Sequence, residues 1–281
     1  VPTRPALRWH GGKWRLAPWI IQNFPPHRIY VEPFGGAASV LLRKPRAYAE
    51  IYNDLDADVV NLFCVLRSER CAELIRAVEL TVFARGEFEN AYTISACPVE
   101  QARRLIVRSF MGFGSDGFNR DVTTGFRANS NRSGTTPARD WMNFPEALRL
   151  VVERFRGVVI EQRHALQVTR THDGPETLHY LDPPYLPSTR SQKYRKGKQY
   201  HSYNHEMDID DHASLLAAIR TLDGAVVLSG YANELYDDAL ADWHRVTRET
   251  HADGARPRTE VLWLNGRARQ LNQQQLLFDS I

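Results

Sequence analysis

Apolar and polar positions alternate along this chain in a rhythm of short strands and longer helical repeats. Residues 29–34 form an apolar run that ends in Pro-Phe-Gly-Gly, which predicts a strand stopped by a glycine turn. Residues 38–43 then read as the opening of a helix. A second strand is predicted over 47–52, closed by Asn53-Asp54. Leu55, Val59, Leu62, Phe63 and Leu66 follow it at helical spacing, with Asn53 or Asp54 as the N-cap. Two strand–turn–helix units in series predict an α/β fold with a doubly wound, mostly parallel sheet of the Rossmann-like kind.

The middle of the chain breaks that rhythm. Residues 99–110 are patterned as a helix, but 112–137 are rich in Gly, Asn, Ser, Thr and Arg with scattered Phe. That stretch is too polar for a core and too long for a tight connection, which marks it as functional or mobile. Pro145 opens a further helix to residue 155, where proline suits the first turn. Strands over 158–161 and 177–181, a helix over 209–222, a strand over 225–228, a helix near 233–241 and strands near Val246 and over 259–264 restore the α/β pattern. The reading is one α/β unit, residues 1–81 and 158–281, interrupted by a mainly helical insertion over 82–157.

Composition narrows the class. With 43% hydrophobic and 25% charged residues in 281, the chain has an ordinary globular core. No apolar run approaches the roughly 18 residues of a spanning helix, and the N-terminal VPTRPALRWHGGKW lacks the apolar centre of a signal peptide. Cys64, Cys71 and Cys97 are odd in number and form no CxxC, which argues against a disulfide framework and a cysteine zinc site. None of the 10 histidines has HExxH-type spacing, so no metal is expected. These features predict a reduced, cytoplasmic protein. Net charge is only +3, but its placement is uneven. Residues 101–139 hold seven Arg and two acids, and 186–205 hold two Arg, three Lys and no acid. The remainder is net acidic, a segregation that a uniformly solvated surface would not show, although any one charge run is usually only a solvated face.

Three short motifs carry candidate chemistry. Asp182-Pro183-Pro184-Tyr185 ends an apolar strand. Its prolines fix the backbone and remove two amide donors, leaving carbonyls that need outside partners. A carboxylate before them and an aromatic ring after them could grip a planar group that carries an NH2; a rigid turn with a capping Asp is the plain alternative. The second motif, Val31-Glu32-Pro33-Phe34-Gly35-Gly36-Ala37-Ala38-Ser39, places glycines between strand and helix, where a ligand can approach the backbone. Asp54, eighteen residues after Gly36, stands where doubly wound folds hold ribose hydroxyls; an ordinary turn and cap would look similar. The third, Arg8-Trp9-His10-Gly11-Gly12-Lys13-Trp14, suits a loop folded over a ligand, or else a buried Trp anchor with a solvated Lys.

In this order the three motifs resemble the Dam-like adenine-specific DNA methyltransferases (the D12, or alpha-group, class). Members carry a W-x-G-G-K segment, an E-P-F-x-G-x-x-S loop, an acidic N-D pair about twenty residues later, and D-P-P-Y. Residues 1–66 and 176–264 fit the family's catalytic core. The segment 109–132, with Gly112-Phe113-Gly114, Arg120 and Gly125-Phe126-Arg127, is similar to its DNA-contacting region. The chain has Gly36-Ala37-Ala38 where many members place a glycine after one intervening residue.

The resemblance implies S-adenosylmethionine as cofactor. Trp9 and Lys13 would touch it, Glu32, Pro33, Phe34, Gly35 and Gly36 would flank its methionine end, and Asp54 would hold its ribose. Asp182 would sit between cofactor and target base, with Pro183, Pro184 and Tyr185 completing the catalytic set. The partner implied is double-stranded DNA with a short specific site, from which the adenine is flipped out. Arg120, Arg127 and Asn129, and Lys193, Arg195, Lys196 and Lys198 beyond the DPPY motif, are the candidate DNA contacts. A monomer in the cytoplasm of a bacterium or phage-infected host is expected. The rival readings are an N4-cytosine or RNA amino-methyltransferase, and an inactive DNA-binding relative; Asp182, where N4-cytosine enzymes usually have Ser, favours adenine.

Overall fold

The computed structural model describes residues 1–114, 117, 123–129, 131, 134–186, 189, 194–195, 198–199, 205–251 and 257–278. The first part of the chain gives α1 (Ala17–Gln22), β1 (Ile29–Glu32), β2 (Ala49–Asn53), α2 (Ala57–Leu66) and α3 (Cys71–Leu80). A helical stretch follows: α4 (Arg85–Asn90), α5 (Pro98–Met111), α6 (Pro137–Met142) and α7 (Phe144–Arg154). Then come β3 (Val158–Glu161), α8 (Ala165–Thr171), β4 (Thr177–Leu181) and the two-residue strands β5 (Tyr194–Arg195) and β6 (Lys198–Gln199). The chain continues with α9 (Ile209–Ile219), β7 (Ala225–Tyr231), α10 (Glu234–Ala239), β8 (His244–His251), β9 (Pro257–Leu264) and α11 (Gly266–Phe278).

Seven strands form one sheet in the order β3-β2-β1-β4-β7-β9-β8. The pairs β3/β2, β2/β1, β1/β4 and β4/β7 are parallel, while β7/β9 and β9/β8 are antiparallel. The expected α/β, mostly parallel sheet is therefore present. Its centre is apolar because β4 (Thr-Leu-His-Tyr-Leu) is buried at every position, as a strand covered on both faces requires. The chain order reverses between β1 and β4, where Val31 lies opposite His179. Open parallel sheets form a crevice at that switch point, beyond the carboxyl ends of the strands.

Several local expectations are corrected. The helix expected to open at Ala38 is a run of turns. Gly36 (φ +47°) and Ala38 (φ +54°) both lie in the left-handed region, which a right-handed helix excludes. The Leu41 amide donates to the Glu32 carboxylate at 3.0 Å instead of to a helical carbonyl. Asp56, rather than Asn53 or Asp54, caps α2, accepting the Asp58 amide at 2.9 Å. Asn53 is fully buried and ties β2 to the neighbouring loops through Pro33 O and Arg163 O. The helices α1, α3, α4, α6, α8 and α11 fall outside the elements read from the pattern.

Helices α5 and α7 share one continuous apolar cluster with the sheet, in which Phe63 and Phe155 stack at 4.3 Å beside Tyr52. Two buried charge networks fasten these helices. Arg108, with no exposed surface, reaches Asp58 on α2 at 3.0 Å and the Ala91 carbonyl at 2.7 Å. Arg154 forks onto both oxygens of Glu50 on β2 at 2.6 and 2.8 Å, and Lys44 joins the same carboxylate at 2.7 Å. Charged groups taken out of water need such direct pairing to offset lost hydration.

Candidate active site

The loop after β1 is shaped by what surrounds its glycines. A Cβ on Gly35 would fall 2.2 Å from the Tyr52 ring, so only glycine lets the turn pass there. A Cβ on Gly36 would lie 2.7 Å from Trp9 Nε1, which shows how closely the N-terminal loop covers this turn. The Tyr52 hydroxyl donates to the Gly36 carbonyl at 2.7 Å. Asp54, just past β2, accepts the Gly36 amide at 2.7 Å on one oxygen and the Asp56 amide at 2.8 Å on the other. Burial pushes the Asp54 carboxyl up to about 6 against those two hydrogen bonds. Glu32 is 3% exposed and accepts from the Tyr30 hydroxyl at 2.7 Å and the Leu41 amide. Burial, with the charge of Asp182 added, pushes it up to about 8.

Across the switch point, β4 delivers Asp182 to the same crevice. Lys13 Nζ lies 2.8 Å from Asp182 Oδ1 and 3.5 Å from Glu260 Oε1. It also donates to the Gly11 carbonyl at 3.1 Å and to the Tyr185 hydroxyl. That hydroxyl in turn donates to Glu260 Oε1 at 2.7 Å, and Ser229 donates to the same oxygen at 3.0 Å. The Tyr185 ring packs on Tyr231 with centroids 4.3 Å apart. Burial pushes Asp182 up to about 6; Lys13 opposes this shift and Glu260 adds to it. Lys13 is thus an ammonium shared by two carboxylates and a phenol.

Trp9, Lys13, Glu32, Gly36, Asp54 and Asp182 border one cavity of about 410 Å³, which Pro183, Tyr185 and Glu260 do not line. Pro33, Phe34, Gly35 and Pro184 also face it. All the cofactor positions read from the sequence therefore meet in one place. The cavity is also lined by His164 and Leu166 around the start of α8, and by His205, Met207 and Ser214 at and before α9. Those residues carry no local motif and were not foreseen. Glu260 was missed too, although a lone acid in the apolar strand 259–264 was a readable signal.

The candidate DNA contacts are distributed differently. Arg127 is half-buried; its amide donates to Met111 O at 2.8 Å and its guanidinium to Phe110 O at 2.9 Å, at the end of α5. Asn129 is exposed and accepts the Asn131 amide at 2.9 Å. Arg120, Lys193 and Lys196 lie outside the described residues, and Arg195 and Lys198 are described only as parts of β5 and β6. Within the Arg-rich window, Arg103 and Arg104 pair with Glu100, and Arg108 with Asp58. Three of its cations thus hold the protein together.

The sequence profile of the D12 class N6 adenine-specific DNA methyltransferases matches residues 9–252. The chain is 27% identical over 257 residues to the DNA adenine methylase of Serratia marcescens, spanning 86% of this chain and 87% of that one. It is 28% identical over 199 residues to the DNA adenine methylase of Haemophilus influenzae, covering 66% and 64% of the two chains. The corresponding figures for the DNA adenine methylase of Escherichia coli K12 are 25% over 223 residues and 76% of each chain. The matched span takes in the Trp9–Lys13 loop, the glycine turn, Asp54 and the DPPY motif, and by that match this chain belongs to the D12 class N6 adenine-specific DNA methyltransferases.

Proposed function

We propose that the chain transfers a methyl group from S-adenosylmethionine to N6 of an adenine flipped out of double-stranded DNA at a short specific site. The observation that carries this reading is the placement of Asp182 beside Lys13 in the wall of a cavity that the glycine loop also lines. The cavity suits such a cofactor in size, since small-molecule sites run from about 300 to 1,000 Å³, and in chemistry. Its lining holds the carboxylates of Asp54 and Asp182, matching a ligand with a cationic sulfonium and amine. The two amides that Asp54 accepts occupy about half of a carboxylate's acceptor positions and leave the rest for ribose hydroxyls. Trp9, Lys13, residues 32–36 and Asp54 would hold the cofactor.

When bound, the cofactor supplies an electrophilic methyl group on sulfur. The protein's task is to make a weakly nucleophilic amine attack it. The Asp182 carboxylate and the Pro183 carbonyl accept the two N6 hydrogens, which draws the nitrogen toward a pyramidal shape with its lone pair directed away from them. Both acceptors are fixed before the base arrives: Pro183 and Pro184 lock the backbone, and Lys13 holds the carboxylate. Positive charge that develops on N6 meets an ionised Asp182, an interaction that strengthens toward the transition state. Flipping costs a few kcal/mol, and the Tyr185 face would recover part of it by stacking.

Residues 82–157 would act as the target-recognition unit on the 1–81 and 158–281 catalytic domain, with Arg120, Arg127 and Asn129 facing the DNA and the basic segment 190–198 on phosphates. The protein would act as a monomer. Modification-aware sequencing of DNA from cells that express the chain tests the whole reading. N6-methyladenine at one short recurring site supports it; N4-methylcytosine, methylated RNA alone or unmodified DNA overturns it.

A further inference from the structure

The mechanism above employs Asp182, Pro183, Tyr185 and Lys13, and leaves the buried acid beside them without a role. Glu260 lies on β9, 2% exposed, opposite Tyr231 on β7. The four residues that follow it, Val261, Leu262, Trp263 and Leu264, are all buried and apolar. A carboxylate in such a strand is costly to desolvate, and an apolar side chain of similar volume would avoid that cost. The Tyr185 and Ser229 hydroxyls both donate to Oε1 of the Glu260 side chain, and the Lys13 ammonium stands 3.5 Å from the same atom. The acid is therefore tied to Tyr185 and Lys13 at the crevice as well as to Ser229 on the neighbouring strand β7.

We propose that Glu260 is a positioning residue for methyl transfer: it fixes the Tyr185 ring through its hydroxyl and shares the Lys13 charge, leaving Asp182 a stronger acceptor for the N6 hydrogens. A single ammonium serves two carboxylates, so neither is fully neutralised. If Glu260 were uncharged, Lys13 would belong to Asp182 alone, and the carboxylate would hold protons and N–H donors less tightly. The Glu260 charge does raise the Asp182 carboxyl, in keeping with that division. The other groups that sense Asp182 are Glu32 from β1, Tyr180 from β4, Tyr236 from α10, and Tyr231 from β7, which also senses Lys13 and packs on the Tyr185 ring. This inference rests on Asp182 gripping N6.

The test is single-turnover methyl transfer from tritiated S-adenosylmethionine to unmethylated bacterial genomic DNA, between pH 5 and 9. It compares the wild type, Glu260→Gln, Tyr185→Phe, their double variant and Asp182→Asn. Glu260→Gln keeps an acceptor for Tyr185 and Ser229 but removes the charge. Its acid limb should move down by roughly one pH unit. Its rate should fall about tenfold, with the KM for S-adenosylmethionine unchanged within about twofold. Tyr185→Phe should cost less in the Glu260→Gln background than in the wild type, because the two side chains act as one unit. A wild-type pH profile and rate in Glu260→Gln, or strictly additive losses, would overturn the proposal. Should Glu260→Gln fail to fold by circular dichroism, Glu260→Asp takes its place. That variant keeps the charge but draws it back, so the acid limb should stay while the rate falls; an undiminished rate overturns the proposal. Near wild-type turnover in Asp182→Asn overturns the Asp182 reading instead, whereas an inactive Asp182→Asn beside an unchanged Glu260→Gln overturns the Glu260 role alone.

Discussion

The Asp54 carboxylate at the end of β2 accepts the Gly36 amide of the loop after β1 at 2.7 Å, so the acid and the glycine turn form a single unit. Replacing Asp54 therefore acts twice, removing a ribose acceptor and releasing the turn. Asp54→Ala should weaken S-adenosylmethionine binding by about 1.5–3 kcal/mol, the usual worth of hydrogen bonds to a charged group. Titration calorimetry checks this, and unchanged affinity would reduce Asp54 to a loop fastener.

Gly35→Ala tests the turn without touching any acid. The added Cβ meets the Tyr52 ring at 2.2 Å, and that ring is locked by its own bond to Gly36. Cofactor affinity should fall by roughly five- to 150-fold, since overpacking of a rigid wall costs about 1–3 kcal/mol. Full retention of affinity would mean that the loop yields more freely than its contacts imply.

Asp182→Ala should lower methyl transfer by several orders of magnitude while DNA binding survives, because its contacts act mainly in the transition state. In the wild type the same carboxyl, raised to about 6, makes activity fall as pH drops through that value. A rate that is flat from pH 7 down to pH 5 would contradict an ionised Asp182.

Glu32 gives a pH effect on stability whose sign can be worked out. Its folded value of about 8 lies above the ordinary 4.5, so the folded state keeps a proton that the unfolded chain has lost. The Glu32 contribution then declines as pH rises from about 4.5 to about 8 and levels off above that. Glu32→Gln retains an acceptor for Tyr30 and Leu41 and lacks this decline. Thermal unfolding should show the variant gaining on the wild type from pH 5 to pH 9; parallel curves would refute the assignment.

The basic segments should separate positioning from reading. Neutralising Lys193 and Lys196 should weaken binding to all DNA and make the salt slope shallower by about 0.9 per lost phosphate contact. Replacing Arg127 should cost roughly 1–3 kcal/mol on the cognate site and relax one base position. Its guanidinium also rests on Phe110 O, so a uniform loss across all sequences would assign it to loop anchoring instead.

The sheet and the near side of the cavity were legible because their signals are local. An apolar run before Gly35-Gly36 or before Asp182-Pro183 marks a strand end, and a strand end in this fold is where chemistry is placed. The turns after Gly36 were misread because Ala37, Ala38, Val40 and Leu41 carry helical spacing, and only the tertiary contact of Leu41 with Glu32 shows why they do not form a helix. Glu260, Tyr231 and the wall from α8 and α9 stayed hidden because their roles depend on strand order. Three arginines of the basic window were read as surface charge, yet they belong to α5 ion pairs, since charge counting carries no information about partners that lie elsewhere in the chain.

The antiparallel course of β9 bears on how the enzyme comes into being. Because the strand runs backwards, its early residue Glu260 reaches the crevice and meets Lys13 from the opposite end of the sequence. A ribosome must therefore release nearly all of these 281 residues before the cluster can close. Nascent chains would hold the glycine turn and the DPPY motif well before they hold a finished charge balance. Contacts between distant segments form late and slowly. A chain cut short before β9 would keep the glycine turn and the DPPY motif yet lack Glu260.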